Sequence, residues 1–241
     1  MLKDNIASLP EGVLFYPCSR SDIFTPIMEF SDWVDQFWFV DKYKYHQGIG
    51  ISKVFELSEQ LSEHFEKTDE MIWEPERREN PEEMSLMHPV IVTETFKRKK
   101  DGRKITVNLR RGDGLSCLNK REFGNISVFF YRGDSMGEGG SGQAWFRDKD
   151  TRKRFKQVIE RIPSGGLIIT DGSNCSSKLP LRYFRQNSIY MKDPPDKPEV
   201  AKFAYRNKAH IECIGRLYDR VVTAYVWRVV KLNNGECNGT I

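Results

Sequence analysis

Val13-Leu14-Phe15-Tyr16 and Gln36-Phe37-Trp38-Phe39-Val40-Asp41 are the two stretches whose reading decides the fold. Both are short, apolar and rich in aromatic or β-branched side chains, which is the pattern of strands buried on both faces. The first is stopped by Pro17 and runs into the polar loop Cys18-Ser19-Arg20-Ser21-Asp22. Thr25 then precedes Pro26, and a proline in first position after a threonine cap predicts a short helix from Pro26 to Phe30. Two buried strands with a helix between them make a βαβ unit and predict a parallel sheet in an α/β protein.

Outward from this unit, Val54, Leu57, Leu61 and Phe65 recur at three- and four-residue spacing, which predicts an amphipathic helix over Lys53 to Lys67. Thr68 to Pro89 is charged, contains prolines and has no period, as expected of a surface insertion. Val90 to Lys100 and Arg103 to Arg110 flank Asp101-Gly102, the signature of a type I′ hairpin turn. Further on, Ile126 to Tyr131 reads as a buried strand and Thr151 to Arg161 as a helix with Phe155, Val158, Ile159 and Ile162 inward. Pro163-Ser164-Gly165-Gly166 breaks that helix, and Leu167 to Thr170 is another buried strand. Ala209 to Gly215 and Val221 to Lys231 predict a closing antiparallel hairpin. The expected organisation is a single domain over 1–241, with the charged insertion and hairpin at about 68–104.

A chain of 241 residues can build a sizeable core, and 39% apolar with 30% charged residues is ordinary globular usage. A net charge of +4 is too small to imply a nucleic-acid or membrane partner. Five cysteines, Cys18, Cys117, Cys175, Cys213 and Cys237, are widely spaced without a C-x-x-C pair, so neither a disulfide framework nor a zinc site is signalled. No stretch approaches the roughly 18 apolar residues of a membrane span. Free thiols and the absence of an apolar leader predict a cytoplasmic protein.

The order of elements, and above all Ile159-Glu160-Arg161-Ile162-Pro163-Ser164-Gly165-Gly166-Leu167-Ile168-Ile169, resembles the class I S-adenosylmethionine-dependent methyltransferases. That resemblance implies a Rossmann-like, mostly parallel central sheet flanked by helices and closed by an antiparallel hairpin. It implies S-adenosylmethionine as cofactor, with the first loop, here Tyr16, Pro17, Cys18, Ser19 and Asp22, against it. Asp41 falls where the family holds the ribose, Asp113 where an acid borders the adenine, and Asp134 where residues face the methyl acceptor. This chain departs from the family in having no glycine in the first loop, where close backbone approach normally requires one.

Independently of any family, Asp22, Asp41, Asp113, Asp134 and Asp171 follow the predicted carboxyl ends of strands, the edge at which open α/β sheets bind ligands. Carboxylates there can grip sugar hydroxyls or a divalent cation; aspartate is also common in turns and caps. Gly137-Glu138-Gly139-Gly140-Ser141-Gly142 lacks the Lys-Ser/Thr ending of a P-loop and reads as a lid, an anion cradle or a plain connection. His46, His64, His88 and His210 have no metal-ligand spacing. Lys97, Arg98, Lys99, Lys100, Arg103 and Lys104 crowd the hairpin tip, a pattern open to nucleic acid but more usual in a solvated edge. The leading expectation is a methyltransferase-like protein with a nucleoside-type small-molecule ligand. A non-catalytic binding protein and a metal-dependent nucleotide or phosphate enzyme are the alternatives.

Overall fold

The computed structural model describes residues 6–17, 19, 22–41, 59, 61–73, 91–111, 114, 117, 118, 121–131, 157–170, 209–217 and 224–231. They belong to two compact units, Val13–Phe123 and Met1–Gly12 with Gly124–Ile241.

In the unit Val13–Phe123 the two decisive runs are strands β1 (Val13–Pro17) and β2 (Gln36–Asp41), with helix α1 (Phe24–Phe30) between them. Strands β3 (Phe65–Trp73), β4 (Ile91–Arg98) and β5 (Lys104–Arg111) follow, and the strand order is β3-β4-β5-β2-β1. β2 is parallel to both neighbours, so Phe37 lies between Leu14 and Val107, and Phe39 between Tyr16 and Leu109. All six are buried. On the opposite face Trp38 and Phe15 both meet the Phe123 ring, at 5.3 and 4.8 Å between centroids. Burial on both faces is why these strands read as unbroken apolar runs.

Helix α1 buries Pro26, Ile27 and Phe30, but it starts at Phe24 after Ile23 and has no side-chain cap. Thr25 is therefore inside the helix, and Pro26 is its third residue. A proline is tolerated there because first-turn amides have no intrahelical acceptor.

In the other unit, β6 (Ile126–Tyr131), β7 (Leu167–Thr170), β8 (Ala209–Leu217) and β9 (Ala224–Lys231) lie in the order β6-β7-β9-β8. Residues 157–161 are helical, with Val158, Ile159 and Ile162 buried. The helix ends in the expected Pro163–Gly166 turn. Gly165 has φ +89°, and a Cβ on Gly166 would lie 2.6 Å from Ile162 Cγ2 and 3.1 Å from the carbonyls of Pro163 and Ser127. Both glycines are thus required, one for its left-handed backbone and one for close helix–strand approach.

The expected helix-flanked, mostly parallel Rossmann-like α/β fold is not what forms. The described residues make nine strands, with one complete helix of seven residues. Their pairings are mixed: β1–β2, β2–β5 and β6–β7 are parallel, whereas β3–β4, β4–β5, β7–β9 and β8–β9 are antiparallel. The architecture is predominantly β. The misreading has its source in Phe65, taken as the last apolar position of a helix, which opens β3. Glu66 to Ile72 are all exposed, so this strand carries no alternation of apolar and polar residues to betray it. The hairpin also differs from a type I′ turn. Only Gly102 has a positive φ, +76°, and the Gly102 amide donates to the Arg98 carbonyl at 2.8 Å, closing a four-residue loop over 99–102. Among the described residues no helix is long and apolar enough to cross a membrane.

Leu14, Phe39, Phe129 and Ile168, each expected at the centre of a sheet, are at most 3% exposed. Phe39→Ala should lower unfolding free energy by about 3–5 kcal/mol, read as a shifted midpoint in urea with unchanged slope. An unshifted midpoint would contradict the packing of β2.

Candidate functional site

β1, β2 and β5 run parallel and end at one level: Pro17 pairs with Val40, Val40 with Arg110, and Asp41 with Arg111. The loop leaving β1 is built onto this edge. The Ser19 amide donates to the Val40 carbonyl at 3.1 Å, and the Asp22 amide donates to the Ser19 carbonyl at 2.9 Å. The Tyr16 hydroxyl, on a ring only 1% exposed, donates to Asp22 Oδ2 at 3.0 Å. A glycine-free loop thus holds its shape through one side-chain and two backbone bonds. Ser19 is 1% exposed, and among the described residues its Oγ has no hydrogen-bond partner. An unsatisfied buried hydroxyl is unfavourable in itself, which marks it as a group available to a ligand.

Of the residues expected to contact a cofactor, the structure therefore gathers Tyr16, Pro17, Ser19 and Asp22, with the backbone of Asp41 at the neighbouring strand end. Cys18, Asp113, Asp134, Asp171 and the Gly137–Gly142 loop lie outside the described residues. Arg110, which with Arg111 follows the basic hairpin in sequence, was expected there only as part of a basic run. It is 3% exposed near the end of β5, forms an ion pair with Glu122, and leaves Nε unpartnered.

The basic hairpin tip is largely tied down within its own unit. Arg98, 6% exposed, binds Asp101 through Nη2 at 2.5 Å and Asp32 through Nη1 at 2.6 Å. Lys100 also reaches Asp32, at 2.8 Å, Arg103 donates to the Asp32 carbonyl, and Lys99 donates to the Ser62 carbonyl at 2.6 Å. Four of the six basic side chains expected to face solvent or phosphates are thus engaged within the chain. The Arg98 guanidinium, with the Arg103 amide, holds the Asp101 carboxyl down at about 2.

A second charged group lies between β3 and β4. Glu94 is fully buried on the apolar face of β4; its Oε1 accepts from Lys67 Nζ at 2.6 Å and its Oε2 has no partner. Burial, with the neighbouring Glu70 carboxyl, pushes the Glu94 carboxyl up against the opposing pull of Lys67. Lys67 loses from burial but gains more from Glu70 and Glu94, so its ammonium is held above its ordinary range. Among the described residues no three His, Cys, Asp or Glu side chains cluster as a metal site.

No known protein family matches the sequence, and no curated protein is significantly similar to it.

The two carboxyls titrate with opposite sign. Because folding raises the Glu94 value, its ionisation opposes folding as pH rises. Glu94→Gln should melt higher than the parent at neutral pH, with the difference vanishing in acid below the ordinary carboxylate value of 4.5. Because folding lowers the Asp101 value, its contribution is present above 3.8 and lost as pH falls towards about 2. Asp101→Asn should accordingly melt lower at neutral pH and coincide with the parent near the bottom of that window. Melting curves across pH check both, and a pH-independent difference in either variant would contradict its sign.

Proposed function

We propose that this chain is a methyltransferase-like protein that binds a nucleoside-type ligand, S-adenosylmethionine foremost, at the carboxyl ends of β1, β2 and β5. The observation that carries the reading is the loop after β1, where a buried, unpartnered Ser19 hydroxyl and the Tyr16-held Asp22 carboxylate adjoin the ends of parallel strands. Such an edge is rich in acceptors. Among the described loop residues, the amides of Ser19 and Asp22 are spent on the Val40 and Ser19 carbonyls. Phosphate is bound by converging N–H groups and repelled by carboxylates, so the edge suits hydroxyl and ammonium donors better than a nucleotide's phosphates. A ribose diol and an amino-acid ammonium are donors of that kind.

In this reading Asp41 accepts from the ribose hydroxyls and Asp113 borders the base. Methyl transfer from a sulfonium needs mainly alignment of donor and acceptor, with a base only where the acceptor must lose a proton. The residues' task is therefore to bind and orient. The locked, glycine-free loop also favours a second reading, a binding protein without catalysis.

Calorimetric titration with S-adenosylmethionine, S-adenosylhomocysteine, adenosine and ATP, with and without magnesium, tests the proposal. Binding of the first two without a magnesium requirement is expected, with ATP weaker. Ser19→Ala should leave stability unchanged or slightly raised, because it removes an unsatisfied buried hydroxyl, while weakening the ligand by about 0.5–1.5 kcal/mol. Magnesium-dependent ATP binding alone would overturn the reading; ligand binding without methyl transfer to any offered acceptor would favour the second.

A further inference from the structure

Strand β3 lies at one end of its unit's strand order, pairing with β4 on one side and, among the described residues, with no strand on the other. Glu66 to Ile72 are exposed throughout, and among the described residues Met71 and Ile72 are the large apolar side chains most open to water, at 59% and 53%. After the irregularity between Lys67 and Asp69, the register pairs Asp69 with Thr95, Glu70 with Glu94, Met71 with Thr93 and Ile72 with Val92. Glu70 and Ile72 thus share one face, and Asp69 and Met71 share the other. Along the open edge, each face presents an acid and, two residues on, an apolar side chain.

This edge is poorly suited to full-length antiparallel pairing with a second copy of itself. Antiparallel self-pairing centred on Asp69 sets that acid against itself, centring between Asp69 and Glu70 sets the two acids against each other, and centring on Thr68 opposes Glu66 to Glu70. Like charges directly opposite are destabilising. The strand's one cation, Lys67, is already held by Glu70 and Glu94. The Glu70 amide meanwhile donates to Asp69 Oδ1 at 2.8 Å, where an acid side chain supplies the acceptor that a neighbouring strand would otherwise provide. A cationic side chain arriving opposite Asp69 would draw that carboxylate away and release the amide.

We propose that the outer edge of β3 accepts an extended segment of a partner protein as an added antiparallel strand, and that this segment carries two adjacent apolar residues followed by two basic ones. Running antiparallel, the apolar pair falls opposite Ile72 and Met71 and the basic pair opposite Glu70 and Asp69, so both faces of the added strand are matched. Backbone bonds would supply affinity, and the charge order would set direction and register.

The test is fluorescence anisotropy with labelled peptides the length of β3. One carries Val-Ile-Lys-Lys between threonines; the controls replace that core with Val-Ile-Glu-Glu and with Thr-Thr-Lys-Lys. The first should bind, about tenfold or more tighter than either control, and should weaken with salt. The double variant Asp69→Lys with Glu70→Lys, if it melts as the parent does, should reverse the preference between the Lys and Glu peptides. Hydrogen exchange should slow across Glu66 to Ile72 in the complex. Equal binding of the Thr-Thr-Lys-Lys peptide, absence of binding, or unchanged exchange would each overturn the proposal. So would a dimer in sedimentation velocity that the Lys peptide dissolves, since it would assign the edge to a second copy.

Discussion

The unit Val13–Phe123 depends on β2 being held in register by parallel neighbours on both sides. Parallel pairing fixes two things together: it layers Leu14, Phe37 and Val107 and then Tyr16, Phe39 and Leu109 into one core, and it brings three carboxyl ends to one level. A one-residue slip of β2 would turn Phe37 and Phe39 to the opposite face and carry Asp41 away from Pro17. Core packing and the candidate site are therefore consequences of one register. The Ser19–Val40 backbone bond extends that register beyond the strand end and into the loop.

The same register explains how a loop without glycine can serve the edge. Glycine allows backbone to approach a ligand through missing atoms and permissive torsions. Here the turn is instead tied by the Tyr16 hydroxyl, which rises from the core layer to meet Asp22. The Ser19 and Asp22 amides are spent in doing so, and the edge keeps the Ser19 hydroxyl and the Asp22 carboxylate as acceptors. What it can recognise is accordingly narrowed towards ligands that bring donors of their own.

Where strands are buried on both faces, the sequence announced them. β1, β2, β6 and β7 lie at or within a residue of their expected bounds, because unbroken apolar runs have no other stable placement. Sequence reading failed where both faces meet water. β3 has neither period nor apolar content over Glu66 to Glu70, and only its pairing to β4 makes it a strand. The same element turned part of an expected insertion into sheet. Within the site, the positions of Asp22 after β1 and Asp41 at the end of β2 were legible from sequence. The buried state of Ser19 was not, since a serine in a polar loop looks like any other until the chain above it closes. Glu94 did leave a signal: within the expected strand Val90 to Lys100 it alternates with Val92 and Phe96, the buried face of β4.

Glu94 also shows why the β3–β4 ribbon can remain exposed without losing its pairing. A carboxylate with one unpartnered oxygen in an apolar layer costs free energy, and Lys67 recovers part of it only while β3 stays on β4. The ion pair is therefore a weak source of net stability and a stronger source of specificity, since any other register would strand a buried charge. An acid beneath the ribbon fixes its inner edge, and acids along its surface discourage self-association at the outer one. The hairpin tip follows the same logic with the signs reversed. Arg98 is buried between Asp32 and Asp101, so the basic cluster acts as an internal tie between α1's end and the β4–β5 turn. In both places the chain uses charge to choose among pairings that hydrophobic burial alone would leave nearly equivalent.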